Sequence, residues 1–288
     1  MGICCCKSIL NEDGTYNPSS FTQKMAVTKK SDYVAIKPAP TKYTGNAPIL
    51  VVCTDEGLMK MKNGKVFSTG NHPIEMLVPM MHMRDAGFKF EFATASGNKV
   101  HLEMWAYPRE DEAVKLFHDE VSAKMDNPKK IDAIASLSDY AGIFIPGGHG
   151  AMINLPENAF LGNLLQEAHD KGIPTITLCH GPAALLSTTS CADDNSSKSS
   201  FPYEGYKIMC FTDKTDALTP KLGYLPGIMP WKCQSTLEGK GITVLNKGET
   251  GATHVDRELI TGDSPKAAQN LGVVATPLLV KWATENRQ

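Results

Sequence analysis

A cysteine followed at once by a histidine, in Cys179-His180-Gly181-Pro182, stands directly after the β-branched run Ile173 to Leu178 and ahead of Ala183-Ala184-Leu185-Leu186. A strand that turns sharply into a helix leaves the turn residue at the sheet's carboxyl edge, beside the free N–H groups of the helix's first turn. Cys179 is therefore a nucleophile candidate. The helix dipole predicts a thiol that ionises more readily than a free cysteine, whose pKa is about 8.5. Gly181 supplies a residue without a side chain two positions past the nucleophile. The alternative for any single cysteine of this kind is an inert, buried thiol that ends a strand.

A thiolate attacking a carbonyl needs a site for the oxyanion and a group that moves protons. Pro146-Gly147-Gly148-His149-Gly150 follows the apolar run Ala141 to Ile145. Gly147 and Gly148 leave backbone N–H groups unobstructed and could share an oxyanion hole with the His180 amide, although Gly-Gly after a strand is also an ordinary turn. Glu75 lies at the start of a helical segment, where a carboxylate usually complements the dipole. Buried beside the thiol, it would instead have a raised pKa and could act as acid and base in turn. Asp216 could orient the His180 imidazole. Asp213, in the same run, is its competitor, and spacing does not choose between them.

These residues need a sheet to position them. Ala47 to Cys53 is a continuous apolar run of the length of a strand buried on both faces, which implies a parallel sheet. His72 to Ala86 has helical spacing with Ile74, Leu77, Val78 and Met81 on one side and Pro79 as a kink, and Phe88 to Ala95 reads as a strand. A helix over Ala159 to Asp170 precedes the strand that carries Cys179. Further strands are expected at Tyr206 to Phe211, Ile242 to Asn246 and Glu258 to Thr261. The last helix is expected to begin with Ser264 as N-cap and Pro265 in the first turn. The alternation predicts an α/β fold, a doubly wound, mostly parallel sheet sandwiched by helices, with ligands at the strands' carboxyl ends. Residues 1–46, rich in Ser, Thr, Asn, Lys and Pro, read as a flexible arm on a catalytic domain spanning 47–288. The segments 54–71 and 107–136 look like insertions that pack together as a small cap subdomain.

The chain has 288 residues, 42% of them hydrophobic, which is enough for a sizeable core. A net charge of -2, from 29 basic and 31 acidic residues, gives no reason to expect a nucleic-acid partner. No apolar stretch approaches the ~20 residues that cross a bilayer, so a cytoplasmic body is expected. The eight cysteines show no metal-ligand spacing and read as reduced thiols. The opening Met1-Gly2-Ile3-Cys4-Cys5-Cys6-Lys7-Ser8 fits an acylation signal, with myristate on Gly2 and palmitate on Cys4, Cys5 or Cys6, which would attach the N-terminus to a membrane. Cys6 stands where that pattern wants Ser or Thr, and an unmodified tail is the alternative.

Pro146-Gly147-Gly148-His149-Gly150, Cys179-His180-Gly181-Pro182-Ala183-Ala184 and the helix-borne Glu75 together resemble the ThiJ/PfpI superfamily, with its flavodoxin-like, class I glutamine-amidotransferase-like fold. Phe67 to Glu75, Gly223-Tyr224-Leu225-Pro226-Gly227 and Leu259 to Pro265 narrow the resemblance to the HchA-type heat-inducible subgroup, described as glyoxalase III, protein deglycase and holding chaperone. The resemblance covers about Ala47 to Ala283. It implies a homodimer without a cofactor, acting on methylglyoxal or glyoxal and also on glycated or unfolded proteins. In the implied reaction Cys179 forms a hemithioacetal, Glu75 carries the proton between the two carbons, and His180 and Asp216 serve the cysteine. Bacterial members have a metal site of two histidines and a glutamate. Here Arg84 and Lys89 replace two of those ligands and His118 is out of register, so no metal is expected there, with His82 and His101 ordinary packing or surface histidines. Two rivals stay open. One is a cysteine amidase or peptidase, against which stand the difficulty of proton transfer between adjacent Cys and His and the lack of work for Glu75. The other is a holding chaperone or redox-sensing binding protein.

Overall fold

The computed structural model describes residues 7–37, 41–190 and 201–287; the acylation motif at Gly2, Cys4, Cys5 and Cys6 lies outside the described residues. The chain begins with strands β1 (Ile9–Leu10) and β2 (Thr15–Asn17) and helix α1 (Ser20–Ala26). Then come β3 (Ile49–Val52), β4 (Leu58–Lys60), β5 (Val66–Ser68), α2 (Pro73–Asp85) and β6 (Phe90–Thr94). The middle of the chain forms α3 (Glu112–Asp126), β7 (Lys129–Lys130), β8 (Gly142–Ile145), α4 (Ala159–Lys171) and β9 (Thr175–Leu178). The last third carries β10 (Lys207–Ile208), α5 (Asp213–Leu222), α6 (Cys233–Glu238), β11 (Thr243–Val244), β12 (Thr253–Asp256), β13 (Leu259–Gly262) and α7 (Ala268–Asn286).

Seven strands build the central sheet in the order β12-β13-β9-β8-β3-β6-β7, parallel throughout except for β12 against β13. This is the α/β sandwich expected from the alternation. Side chains alternate along β3: Ile49 and Val51 enter a core with α2 and α7, while Leu50 and Val52 enter the opposite core with α4. After β6 forms on one side of β3 the chain returns to place β8 on the other. That reversal opens a crevice at the strands' carboxyl ends, where such folds bind ligands. The loops after β3, β8 and β9 all lead into it.

Several expectations need correction. α2 is buried from Pro73 to Met83 rather than on one side only, because α3 and α7 pack against it as well as the sheet. The stretches expected as strands at 206–211 and 242–246 keep only two paired residues each, in a separate β10–β11 ribbon, and the Asn246 side chain bonds the Cys210 backbone in place of a longer ladder. Ser264 does not cap the last helix with its hydroxyl. It donates to Asp263, and a short 3-10 turn, Pro265–Ala267, precedes α7.

The subdomain boundaries also differ. Segment 107–136 is no cap insertion, since α3 packs on α2 and β7 forms an edge of the central sheet. The cap is a four-stranded sheet, β1-β2-β5-β4, whose first two strands come from the segment expected to be a flexible arm. Apolar periodicity is absent there because strands of two or three residues are too short to display it. α1 docks on the end of α5, with the Ser19 N–H donating to the Gly223 carbonyl and the Thr22 hydroxyl to that of Leu222.

Buried Asn71 ties the loops around the crevice together. Its side chain accepts from the Thr54 N–H (3.1 Å) and donates to the carbonyls of Thr54 (2.9 Å) and His101 (2.8 Å). Asn71→Ala leaves the buried Thr54 N–H without its partner, while the Thr54 and His101 carbonyls keep the backbone N–H groups of His101 and Asn71, and it is expected to cost about 1–3 kcal/mol in urea unfolding. A loss below about 0.5 kcal/mol would show that the loops are held by other contacts.

Candidate active site

Cys179 follows β9 in a left-handed conformation, φ 57°, unusual for a residue with a side chain. The backbone around it is pinned: its N–H donates to the Gly262 carbonyl (3.0 Å) and its carbonyl accepts from the Phe211 N–H (2.9 Å). A Cβ on Gly181 would sit 2.3 Å from Thr177 Oγ1 and 2.7 Å from the Ile145 carbonyl oxygen, so the chain can turn this tightly only over glycine. The turn leads into a 3-10 helix, Gly181–Ser190, rather than an α-helix. Cys179 is 4% exposed.

Glu75 projects from the first turn of α2 and is fully buried, with neither carboxyl oxygen in hydrogen-bond geometry to a protein partner. A Cβ on Gly147 would lie 2.1 Å from Glu75 Oε2 and 2.7 Å from Cys179 Cβ. The carboxyl therefore passes over the bare Gly147 backbone to the thiol. Gly148, at φ 101°, brings its N–H to the same place, where it favours the ionised form of either group. Burial pushes the Glu75 carboxyl well above its ordinary range. Burial, and then the negative charge of Glu75, also push the Cys179 thiol up. The expectation of a readily ionised thiol is thus overturned. A 3-10 turn offers few aligned dipoles, and they do not offset a dry pocket that already contains a carboxylate.

His180, adjacent in sequence, does reach Cys179: its Nδ1 lies 3.4 Å from Sγ. Its Nε2 is 2.9 Å from Asp216 Oδ2. The choice left open by spacing falls on Asp216, because Asp213 accepts the backbone N–H groups of Gln234 and Ser235 at the start of α6. Burial by itself would raise the Asp216 carboxyl. His180 and then His149 more than offset this and hold it below the usual carboxylate range.

Sequence reasoning missed His149, Glu103, His72 and Tyr224. His149 is buried, with Nε2 3.2 Å from Asp216 Oδ1 and its ring 4.1 Å from that of His180. The sequence signal was its place immediately after Gly147-Gly148, at a strand's carboxyl end. Glu103 accepts from the Thr69 hydroxyl (2.8 Å), and burial pushes its carboxyl up to about 7 against the opposing influence of His149 and Thr69. An acid inside Leu102-Glu103-Met104-Trp105 was its only signal. His72 precedes α2, and burial holds its imidazole down to about 3. Tyr224 forms a wall with Trp105 and with Phe67 of β5, and Phe67 meets His149 edge-on.

Among the described residues His149, His180 and Asp216 form one buried group of metal-ligand type, with ligand atoms within 4.8 Å of one another. Those atoms are already engaged as two imidazole–carboxylate hydrogen bonds. Elsewhere, Arg84 pairs with Asp85 and Glu120, buried His82 bonds Gln269, and His101 packs on Gly57 and Gly70.

A model of the DJ-1/PfpI family matches residues 66–204. The chain is 42% identical over 276 residues to the protein/nucleic acid deglycase HchA of Pseudomonas aeruginosa, covering 94% of this chain and 93% of that one. It is 43% identical over 268 residues to the protein of the same name from Escherichia coli, covering 92% of each. In fold it is similar to glyoxalase III of Candida albicans (TM-score 0.62, 23% identity, 80% of this chain and 97% of that one). It is also similar to the 24 kDa rapid encystment protein of Francisella tularensis (TM-score 0.68, 19% identity, 81% and 99%).

Removing the Glu75 charge in Glu75→Gln should lower the pH at which Cys179 is alkylated by iodoacetamide by about one unit or more. An unchanged pH profile would mean that the two groups do not interact. For Glu103, the folded carboxyl keeps its proton from its ordinary pKa of about 4.3 up to about 7, so its contribution to stability falls as pH rises through that window. Glu103→Gln should therefore gain about 1–3 kcal/mol on the parent at pH 8 compared with pH 4 in denaturant titrations. No pH-dependent difference would place the Glu103 carboxyl at an ordinary pKa.

Proposed function

The chain belongs to the DJ-1/PfpI family and, within it, to the HchA-type deglycase subgroup, and from that premise we propose that it is a glutathione-independent glyoxalase converting methylglyoxal to D-lactate. Cys179 adds to the aldehyde carbon as its proton passes to the carbonyl oxygen, giving a hemithioacetal. The N–H groups around Gly147, Gly148 and His180 stabilise the oxygen while it carries charge. Glu75, as carboxylate, removes the proton from the former aldehyde carbon and returns it to the neighbouring carbon, while the hemithioacetal hydroxyl proton passes to the neighbouring oxygen, leaving a lactyl thioester. Water then divides the thioester into D-lactate and free thiol. Glyoxal would give glycolate by the same steps.

The observation that carries this reading is the unpartnered, buried Glu75 carboxyl beside the Cys179 thiol. A carboxyl with no hydrogen-bond partner costs stability, and its raised pKa suits a group that must take a proton from carbon and give it back. An amidase has no such need. The contact between Cys179 and His180 removes the geometric objection to an amidase, but a thiol made less acidic by its neighbour is a poor start for attack on an amide.

Enclosure bears on the substrate. With Cys179 4%, His180 1% and Glu75 0% exposed, the site suits a molecule as small as a free dicarbonyl. The HchA relatives are named deglycases. In this chain, loss of free methylglyoxal would itself reverse adducts on protein side chains, and a glycated side chain would have to wait for the walls to open.

Reduced, metal-stripped protein given methylglyoxal without glutathione should produce D-lactate. Cys179→Ala should abolish the product, and Glu75→Gln should lower kcat by about 100-fold or more. Undiminished lactate from Cys179→Ala, or none from the parent protein, would overturn the assignment.

A further inference from the structure

Asp216 is a fork rather than the end of a chain. Its Oδ2 meets Nε2 of His180 at 2.9 Å and its Oδ1 meets Nε2 of His149 at 3.2 Å. An ionised carboxylate only accepts, so both Nε2 atoms carry hydrogen. His180 is thereby fixed in the tautomer whose Nδ1 is bare and turned to Cys179 Sγ, 3.4 Å away. The two rings lie 4.1 Å apart at 34°. When His180 takes the thiol proton, a positive charge arises against the face of His149.

Resting on the glyoxalase reading above, we propose that His149 is a positioning residue of the reaction: by donating to the second oxygen of Asp216 it fixes that carboxylate's orientation and divides its charge, and so sets the proton affinity of His180. His149 has no other visible employment in the fold that requires an imidazole. Its ring contacts with Phe67, Phe211 and Tyr224 could be made by any aromatic side chain. The titratable groups facing it are Asp216 from α5, His180 after β9, Glu103 before Trp105, His72 at the start of α2, and Tyr224. Among the described residues it is Asp216 that accepts the His149 side-chain hydrogen.

His149→Phe keeps a ring and removes the donor, whereas His149→Gln keeps an N–H that can reach Asp216. With methylglyoxal, His149→Phe should lose about 10- to 100-fold in kcat with KM changed less than about threefold, and His149→Gln should recover to within about fivefold of the parent. An Asp216 whose charge falls undivided on His180 raises that imidazole's proton affinity. The midpoint of Cys179 alkylation by iodoacetamide should therefore move to lower pH by about half a unit or more in His149→Phe and stay in place in His149→Gln. In an Asp216→Asn background, His149→Phe should have no further effect. His149→Asn, too short to reach Asp216, replaces His149→Phe if circular dichroism shows the latter misfolded. Parent-like kcat and alkylation midpoint in the folded donor-free variant, or an undiminished effect in the Asp216→Asn background, would overturn the proposal. The alkylation profile reads His180 without turnover, so absence of lactate from the parent protein would count against the glyoxalase reading and leave this test standing.

Discussion

A carboxyl group and a thiol, both cut off from water, meet across Gly147, where even a methyl group would collide with each of them. Their mutual repulsion when ionised is what the surrounding structure must contain. One proton between the two is tolerable in a dry pocket, and two negative charges are not. The positive-φ turn at Cys179, the entry of α2 that delivers Glu75 and the bare backbone of Gly147 and Gly148 all serve that single approach. Each is costly or unusual alone. A non-glycine residue at φ 57° stores strain, and a buried carboxyl without a partner loses its hydration.

On the other side of the thiol, the arrangement is built from compensation. Asp216 is buried but accepts from two imidazoles, so its charge is retained where that of Glu75 is disfavoured. Two carboxyls in one pocket thus have opposite tendencies, set by hydrogen-bond partners rather than by burial, which they share. Pushing the pKa values of neighbouring acids apart is how a single site can hold a fixed anion beside a group that exchanges its proton.

The cap completes the enclosure, and the N-terminal segment is part of it. β2 pairs with β5, setting Tyr16 beside Phe67, and Phe67 meets the His149 ring. α1 at the same time holds the carbonyl end of α5, the helix that carries Asp216. Residues that show no chemistry of their own therefore support both the roof of the pocket and the helix of its anion.

The local pattern of the chain determined a great deal. Buried strands read as apolar runs, so β3, β6, β8, β9 and β13 and the crevice at their ends were legible, as were Cys179 at its turn and Glu75 at its helix start. Local sequence carries such features because they depend on neighbours within a few residues. What tertiary structure alone decided depends on groups far apart along the chain. Asp216 prevailed over Asp213 because only one faces the imidazoles, 36 residues from His180. The N-terminal strands found a sheet to join only once β5 was in place. The acidity of Cys179 reversed its expected direction because burial and a carboxylate 104 positions away outweigh the dipoles of the turn on which it sits. Electrostatic effects are set by distance in space and by exclusion of water, and neither is written in the order of residues.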